Sequence, residues 1–283
     1  MTGVKDVVRP LLRVFGLAAK VQATGNAMVR RLTLIAVIAL LPFAASAQSC
    51  PTPNALGTER LLEVDASTTP RVGRKQFPQT LPLQRKELVL TFDDGPMPET
   101  TARVLDALKA ECVRATFFLL GRNSEAHPAL VRRELAEGHS VGHHTYDHQI
   151  LSRISIATAI ADINRGFEED EFALYGQRRT VPATPFFRFP GFASSPELLD
   201  ELARRHIVVF GADVWASDWN EMTPQVELNL ILKRVEAVDH GIVLFHDTKA
   251  QTANMLPAFL RELKRRGFRI VHVVPAGSRG ILH

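Results

Sequence analysis

Apolar residues recur in short runs through the second part of the chain. They stand at 88–92 (LVLTF), 115–120 (ATFFLL), 139–143 (HSVGH), 185–189 (PFFRF), 206–211 (HIVVFG), 241–246 (GIVLFH) and 269–274 (RIVHVV). Runs of this length read as buried strands. Between them lie stretches with helical periodicity, at 100–111, 125–137, 153–174, 195–205, 224–238 and 254–266. Strands that alternate with helices predict βαβ units and a parallel sheet. About seven such units in a single α/β domain predict a barrel or a partly open barrel. A doubly wound open sheet is the second choice, because no Gly-rich dinucleotide loop supports it.

Ahead of the first run, residues 48–86 are polar and Pro-rich, with one short strand pattern, RLLEVD. They read as an extension that wraps or leads to the domain. Residues 1–47 read as a leader. Within it, 28–47 (MVRRLTLIAVIALLPFAASA) has Arg30 and Arg31, an apolar core and an Ala-Ser-Ala exit, which are the parts of a secretory signal. Its apolar core is shorter than the ~20 residues of a spanning helix. Cleavage after Ala47 leaves no stable membrane span and sends the protein to the periplasm or cell envelope. Met28, just before the two arginines, is an alternative start to Met1.

Charge changes the picture only once it is divided. The net charge of +4 suggests an anionic partner. The leader holds six basic residues and one acid, leaving 28 basic and 29 acidic of the chain's 34 and 30 for the remainder. The body therefore carries no electrostatic footprint for nucleic acid. Its only cysteines are Cys50 and Cys112. Their spacing does not settle a disulfide, and two thiolates are too few for a thiolate zinc site.

The candidate chemistry falls where the strand runs end. Asp93 and Asp94 follow the first run, inside TFDDGP (91–96), and His144 and His148 follow the third. Arg188 closes the fourth, Asp213, Asp218 and Trp219 follow the fifth, and His246 and Asp247 close the sixth. In parallel α/β folds the carboxyl ends of the strands carry the active site. His139/His143 and His144/His148 both have a spacing of four, and imidazole nitrogens suit a cation such as Zn2+. Turn chemistry explains one of the two aspartates and not both. Neighbours on an extended chain point in opposite directions. One carboxylate can thus hold a cation while the other faces the reacting water as a base. Arg188 is the guanidinium that would offset their repulsion.

Taken in order, these motifs resemble the polysaccharide deacetylases of carbohydrate esterase family 4, the nodulation-type chitooligosaccharide deacetylase domain. TFDDGP matches the first motif of the family, and His144-Thr-Tyr-Asp-His148 matches its His-Ser/Thr-x-x-His motif. Arg188-Phe-Pro-Gly191 resembles Arg-x-Pro, Ser217-Asp218-Trp219 the end of Asp-x-x-Asp-Trp, and Leu244-Phe-His246 matches Leu-x-His. The resemblance spans about residues 86–275, so 87–275 is expected to be the catalytic domain and 276–283 a tail. It implies a distorted, partly open (β/α) barrel of about seven βα units. It implies Asp93 as general base and Asp94, His144 and His148 as ligands of one divalent cation, Zn2+ ahead of Co2+ or Ni2+. Arg188 would orient Asp93, His246 would be the general acid and Asp218 would tune it. Trp219 and Leu244 would wall the acetyl pocket, with an oxyanion donor near Gly191.

The implied reaction is metal-dependent removal of N-acetyl groups from an N-acetylated polysaccharide, chitooligosaccharide or peptidoglycan, with release of acetate. O-acetyl ester or small-amide hydrolysis, or sugar binding without catalysis, are the alternatives on the same fold. Three positions depart from the family pattern: Gln149 in place of a Pro, Trp215 in place of the first Asp of Asp-x-x-Asp-Trp, and Gly191 where an aromatic residue is frequent. Asp213 is the candidate substitute for that missing aspartate. The polymer and the oligomeric state are not legible.

Overall fold

The computed structural model describes Cys50 and residues 52–278. The leader, with its signal pattern, lies outside the described residues. Ten strands form one sheet: β1 (Thr58–Val64), β2 (Arg71–Val72), β3 (Glu87–Asp93), β4 (Thr116–Leu119), β5 (Ser140–His143), β6 (Phe186–Phe187), β7 (Val208–Phe210), β8 (Val214–Trp215), β9 (Gly241–His246) and β10 (Arg269–Pro275). Seven helices accompany them: α1 (Pro98–Ala110), α2 (Gly121–Ala126), α3 (Pro128–Ala136), α4 (Ile156–Tyr175), α5 (Pro196–Arg204), α6 (Pro224–Val238) and α7 (Ala250–Arg265).

Every strand pairing is parallel. From β3 the sheet runs one way through β4, β5, β6 and β7, and the other way through β9 to β8. Hydrogen bonds do not close the ring between β7 and β8. β2 fills that seam, pairing with β7 while Lys75 N donates to Ala212 O just beyond it. β1 lies on β10, with Leu61 opposite His272. Both strands come from the segment that reads as an extension.

The helices start where the sequence stops competing with them. Pro98, Pro128, Pro196 and Pro224 sit at the first turns of α1, α3, α5 and α6, where the missing N–H costs nothing. Ser155, Ser195 and Thr223 accept from backbone amides and cap α4, α5 and α6. Pro128 also splits the single helix expected over 125–137 into α2 and α3, with His127 pushed out of helical geometry between them.

Strand parity decides what faces the inside of the barrel. On β3, Leu88, Leu90 and Phe92 pack outward under the helices, whereas Val89 joins the interior cluster with Phe118, Phe186, Phe210 and Ile242. Thr91 and Asp93 follow Val89 on the inward face. By the same alternation Val141 packs outward and His144 inward, Phe187 outward and Arg188 inward, Phe245 outward and His246 inward.

Candidate active site

The carboxyl ends of β3, β5, β6, β8 and β9 meet in a cavity of about 400 Å³. Asp93, Asp94, His144, His148, Gly191, Trp219, Leu244 and His246 all line it. Arg188 and Asp218 stand one layer behind, each bonded to a lining side chain.

Asp94 departs from the extended geometry expected of it. Its φ is +75°, a left-handed conformation that costs a non-glycine residue of order 1–3 kcal/mol. Two contacts from the start of α2 brace it: Asn123 Nδ2 donates to Asp94 O at 2.7 Å, and Leu120 N, at the helix N-cap, donates to Gly95 O at 3.1 Å. As a result both aspartates face one cavity instead of opposite sides. Thr145, His148, Phe192 and Ser217 are also left-handed, so strained residues gather at this rim.

Asp94 Oδ1 lies 3.6 Å from His144 Nε2 and 3.4 Å from His148 Nε2. The three ligand atoms lie within 4.8 Å of one another. Such spacing fits a small cation with bonds of about 2.0–2.2 Å. Asp94 Oδ1 is also a buried oxygen without a hydrogen-bond partner, which is the condition of an atom kept for a cation. His144 Nδ1 sits 2.7 Å from Arg188 O, which places the proton on Nδ1 and leaves Nε2 free for the cavity. Burial holds the His144 imidazolium down to about 3, so the ring is neutral and able to ligate. His148 N donates to Thr145 Oγ1 at 3.0 Å, which shapes the turn carrying the second ring. The rival pair from the spacing, His139 and His143, points the other way. His143 is buried against Phe167 with Nδ1 2.7 Å from Asp170, and His139 Nδ1 accepts from Ala115 N.

Asp93 is buried, and Arg188 Nη1 donates to its Oδ1 at 2.6 Å. The guanidinium is held from four further directions: Thr91 Oγ1 at 2.9 Å, Phe210 O at 3.2 Å, Gly211 O at 2.9 Å, and the Phe118 ring 4.3 Å beneath. Burial raises the proton affinity of Asp93, and the charges of Arg188 and His246 recover only part of the shift. Its second oxygen, Oδ2, stands 3.8 Å from His144 Nε2, toward the ligand cluster.

On the opposite wall His246 Nδ1 lies 2.8 Å from Asp218 Oδ1, and His246 N donates to Asp218 Oδ2 at 2.6 Å. Burial disfavours the charged ring, but the hydrogen bond and charge of Asp218, with Asp93 and Asp94, outweigh it and lift His246 to about 9. Asp218 is itself tied down, because Thr252 Oγ1 lies 2.9 Å from both Asp218 Oδ2 and Glu227 Oε1.

Asp213 does not replace the aspartate missing at Trp215. It takes Arg74 N, Thr80 Oγ1 and Ile242 N, which binds β2 to the start of β9 and points it away from the cavity. Trp215 instead joins the wall. Phe192, Trp215, Trp219 and His246 follow one another with ring centroids 6.1, 5.9 and 6.0 Å apart. Phe192 and Lys249 line the cavity and were invisible in the chain pattern. Phe192 had one signal, its place beside Gly191 where the family pattern favours an aromatic ring.

Residues 81–209 match the family model described as polysaccharide deacetylase. A peptidoglycan-N-acetylglucosamine deacetylase of Bacillus cereus is 50% identical over 194 residues, which cover 67% of this chain and 68% of that one. The chain belongs to the polysaccharide deacetylase family. A second family member, the peptidoglycan-N-acetylglucosamine deacetylase of Listeria monocytogenes, is 35% identical over 188 residues, 66% of this chain. The match spans 38% of the Listeria protein's length. Among solved family structures, a Bdellovibrio bacteriovorus peptidoglycan deacetylase superposes with a TM-score of 0.69 at 31% identity, covering 80% of this chain and 62% of that one. The α/β barrel-like fold, left open by hydrogen bonding, is the fold of these deacetylases.

Proposed function

We propose that this chain is a hydrolase that removes N-acetyl groups from N-acetylglucosamine-containing cell-wall polysaccharide and releases acetate. One observation carries the reading. A buried carboxylate, a three-ligand cluster and a histidine held by a carboxylate converge on one cavity from different strands. The named activities of the Bacillus, Listeria and Bdellovibrio relatives support the acyl group and the polymer class.

Asp94, His144 and His148 would hold one divalent cation, Zn2+ by ligand type, with Co2+ and Ni2+ compatible. Such a cation supplies Lewis acidity to an acetamide carbonyl and acidifies water. Asp93 is the base. Its Oδ2 accepts the proton of the attacking water, while Oδ1 stays on Arg188. His246 is the acid. Asp218 fixes Nδ1, so the proton delivered to the leaving nitrogen comes from Nε2. Leu244 and Trp219 wall the acetyl group and Gly191 borders it.

The same reading places the protein outside the cytoplasm. Cys50 and Cys112 form a disulfide, a bond that persists in oxidising compartments. Among the described residues no helix is long and apolar enough to cross a membrane.

Acetate release from N-acetylglucosamine oligomers and from peptidoglycan tests the reading directly. With zinc supplied, release is expected to fall by at least about 100-fold in Asp93→Asn, which keeps the shape but not the base. It should also fall to background on chelation and return with metal. Wild-type rates in Asp93→Asn would sink the base assignment. No release by metal-loaded protein from either polymer would sink the activity.

A further inference from the structure

Two lysines, one lining the cavity and one lying against the Trp215 ring of its wall, have no part in the proposed reaction. Lys249 lines the cavity three residues after His246, and its backbone N donates to His246 O. Lys75 comes from the far end of the chain, in the turn after β2, with Nζ 4.7 Å from the centre of the Trp215 ring. Among the described residues neither side chain has a carboxylate partner or a side-chain hydrogen bond. The carboxylates of the cavity are already engaged: Asp93 faces Arg188, Asp94 belongs to the ligand cluster, and Asp218 holds His246. Arg234, beside the same wall, is by contrast engaged, donating to Trp215 O and Ser217 Oγ. The body is close to neutral overall, with 28 basic and 29 acidic residues, so two lysines without carboxylate partners beside one cavity wall are not a by-product of bulk charge. Between them runs the aromatic wall of Phe192, Trp215 and half-exposed Trp219, whose flat faces suit sugar rings.

We propose that Lys249 and Lys75 determine specificity by pairing with a carboxylate carried by the glycan next to the sugar whose acetamide reacts. The preferred substrate is then an acid-bearing N-acetylated glycan, and a neutral chain of N-acetylated sugars is the poorer one. The aromatic wall takes the sugar face, and the two lysines read the charge beside it. This inference rests on the deacetylase reading for its substrate class. The carboxylate has two possible sources: an acidic ether substituent on the neighbouring sugar, or the end of a peptide attached to it. Both present the same group to the same two cations.

Binding and turnover separate the inference from the reading beneath it. The probes are a N-acetylhexosamine disaccharide carrying a lactyl ether carboxylate, its amide, the same disaccharide with a short acidic peptide, and a neutral N-acetylglucosamine oligomer. Affinity is measured by calorimetry in the zinc-loaded Asp93→Asn protein, and kcat/KM is measured in otherwise wild-type protein. A partly exposed ion pair contributes up to about 1 kcal/mol, or about fivefold. With two such pairs the acid is expected to bind about 5- to 20-fold tighter than its amide at low salt, with the advantage shrinking as salt rises. Lys249→Met and Lys75→Met should each lower the acid-to-amide ratio several-fold, through KM more than kcat, and Lys249→Arg should restore it. The lactyl and peptide arms show which carboxylate is read. Equal affinity for acid and amide, or a ratio untouched by both Met variants, overturns the proposal. Preferential binding of the acid without acetate release from any probe keeps the charge reading and sinks the deacetylase reading.

Discussion

Among the described residues Arg188 is the largest fully buried side chain. Its charge is matched by one carboxylate and three further donors by two carbonyls and a hydroxyl. A guanidinium removed from water is tolerable only when it is paired and hydrogen-bonded in this way. The same burial serves Asp93 differently: it raises the proton affinity of a group whose task is to accept a proton. His246 shows the reverse balance, because its carboxylate neighbours overcome burial and lift it to about 9. An acid must be protonated to act, so activity should fall on the alkaline side as His246 loses its proton. A cation on Asp94 would offset one of those carboxylates and lower the proton affinity of His246. Asp218→Asn removes a full charge and should move the limb further down, by about one pH unit if the lost interaction is near 1.4 kcal/mol. The pH profile of kcat/KM for the two zinc-loaded proteins checks this, and an unmoved alkaline limb would count against His246 as the acid.

At the level of elements, all seven apolar runs became strands, because each is long enough to fill one buried position in the sheet. The period-2 alternation within them even separates His144 from His143, once the sheet shows which face is inside. What stayed hidden has physical reasons. β2 and β8 are two residues each and leave no period to detect. They exist because a seam between β7 and β8 needs filling, which is a tertiary demand. The left-handed backbone of Asp94 is braced by Asn123 of α2, and no local residue announces it. Trp215 reads as a broken motif in the chain and as a wall of the cavity in the fold. Since Val72 is fully buried in the seam, Val72→Ala should cost about 2 kcal/mol. It should also loosen the wall, because Gln76 in the following turn donates to Phe192 O and Ser194 Oγ. Denaturant melts would report the first effect, and a rise in KM for oligomers the second. A Val72→Ala protein as stable as wild type would mean that β2 is dispensable to the seam.

Across the whole molecule the site lies at one end of the barrel and the chain enters at the other. Thr58 begins β1 opposite Ile270, at the start of β10. Just before it, Gly57 N and Leu56 N donate to Glu111, and Cys50 is bonded to Cys112, both in the turn between α1 and β4. The disulfide closes a loop of 62 residues, for which chain entropy in the unfolded state gives a stabilisation of about 4 kcal/mol. Cys112→Ser should therefore lower the melting temperature by about 10 °C, and calorimetry with and without reductant would show whether wild type falls to the same point. Equal melting temperatures would show that the bond constrains little. The position of the bond also sets a mechanical path. Force applied anywhere upstream of Cys50 enters the fold at Cys112 and passes straight into the base of the barrel. β1 and β2 lie inside the closed loop and carry none of that load, so a molecule pulled from its amino side keeps both its seam and its open mouth.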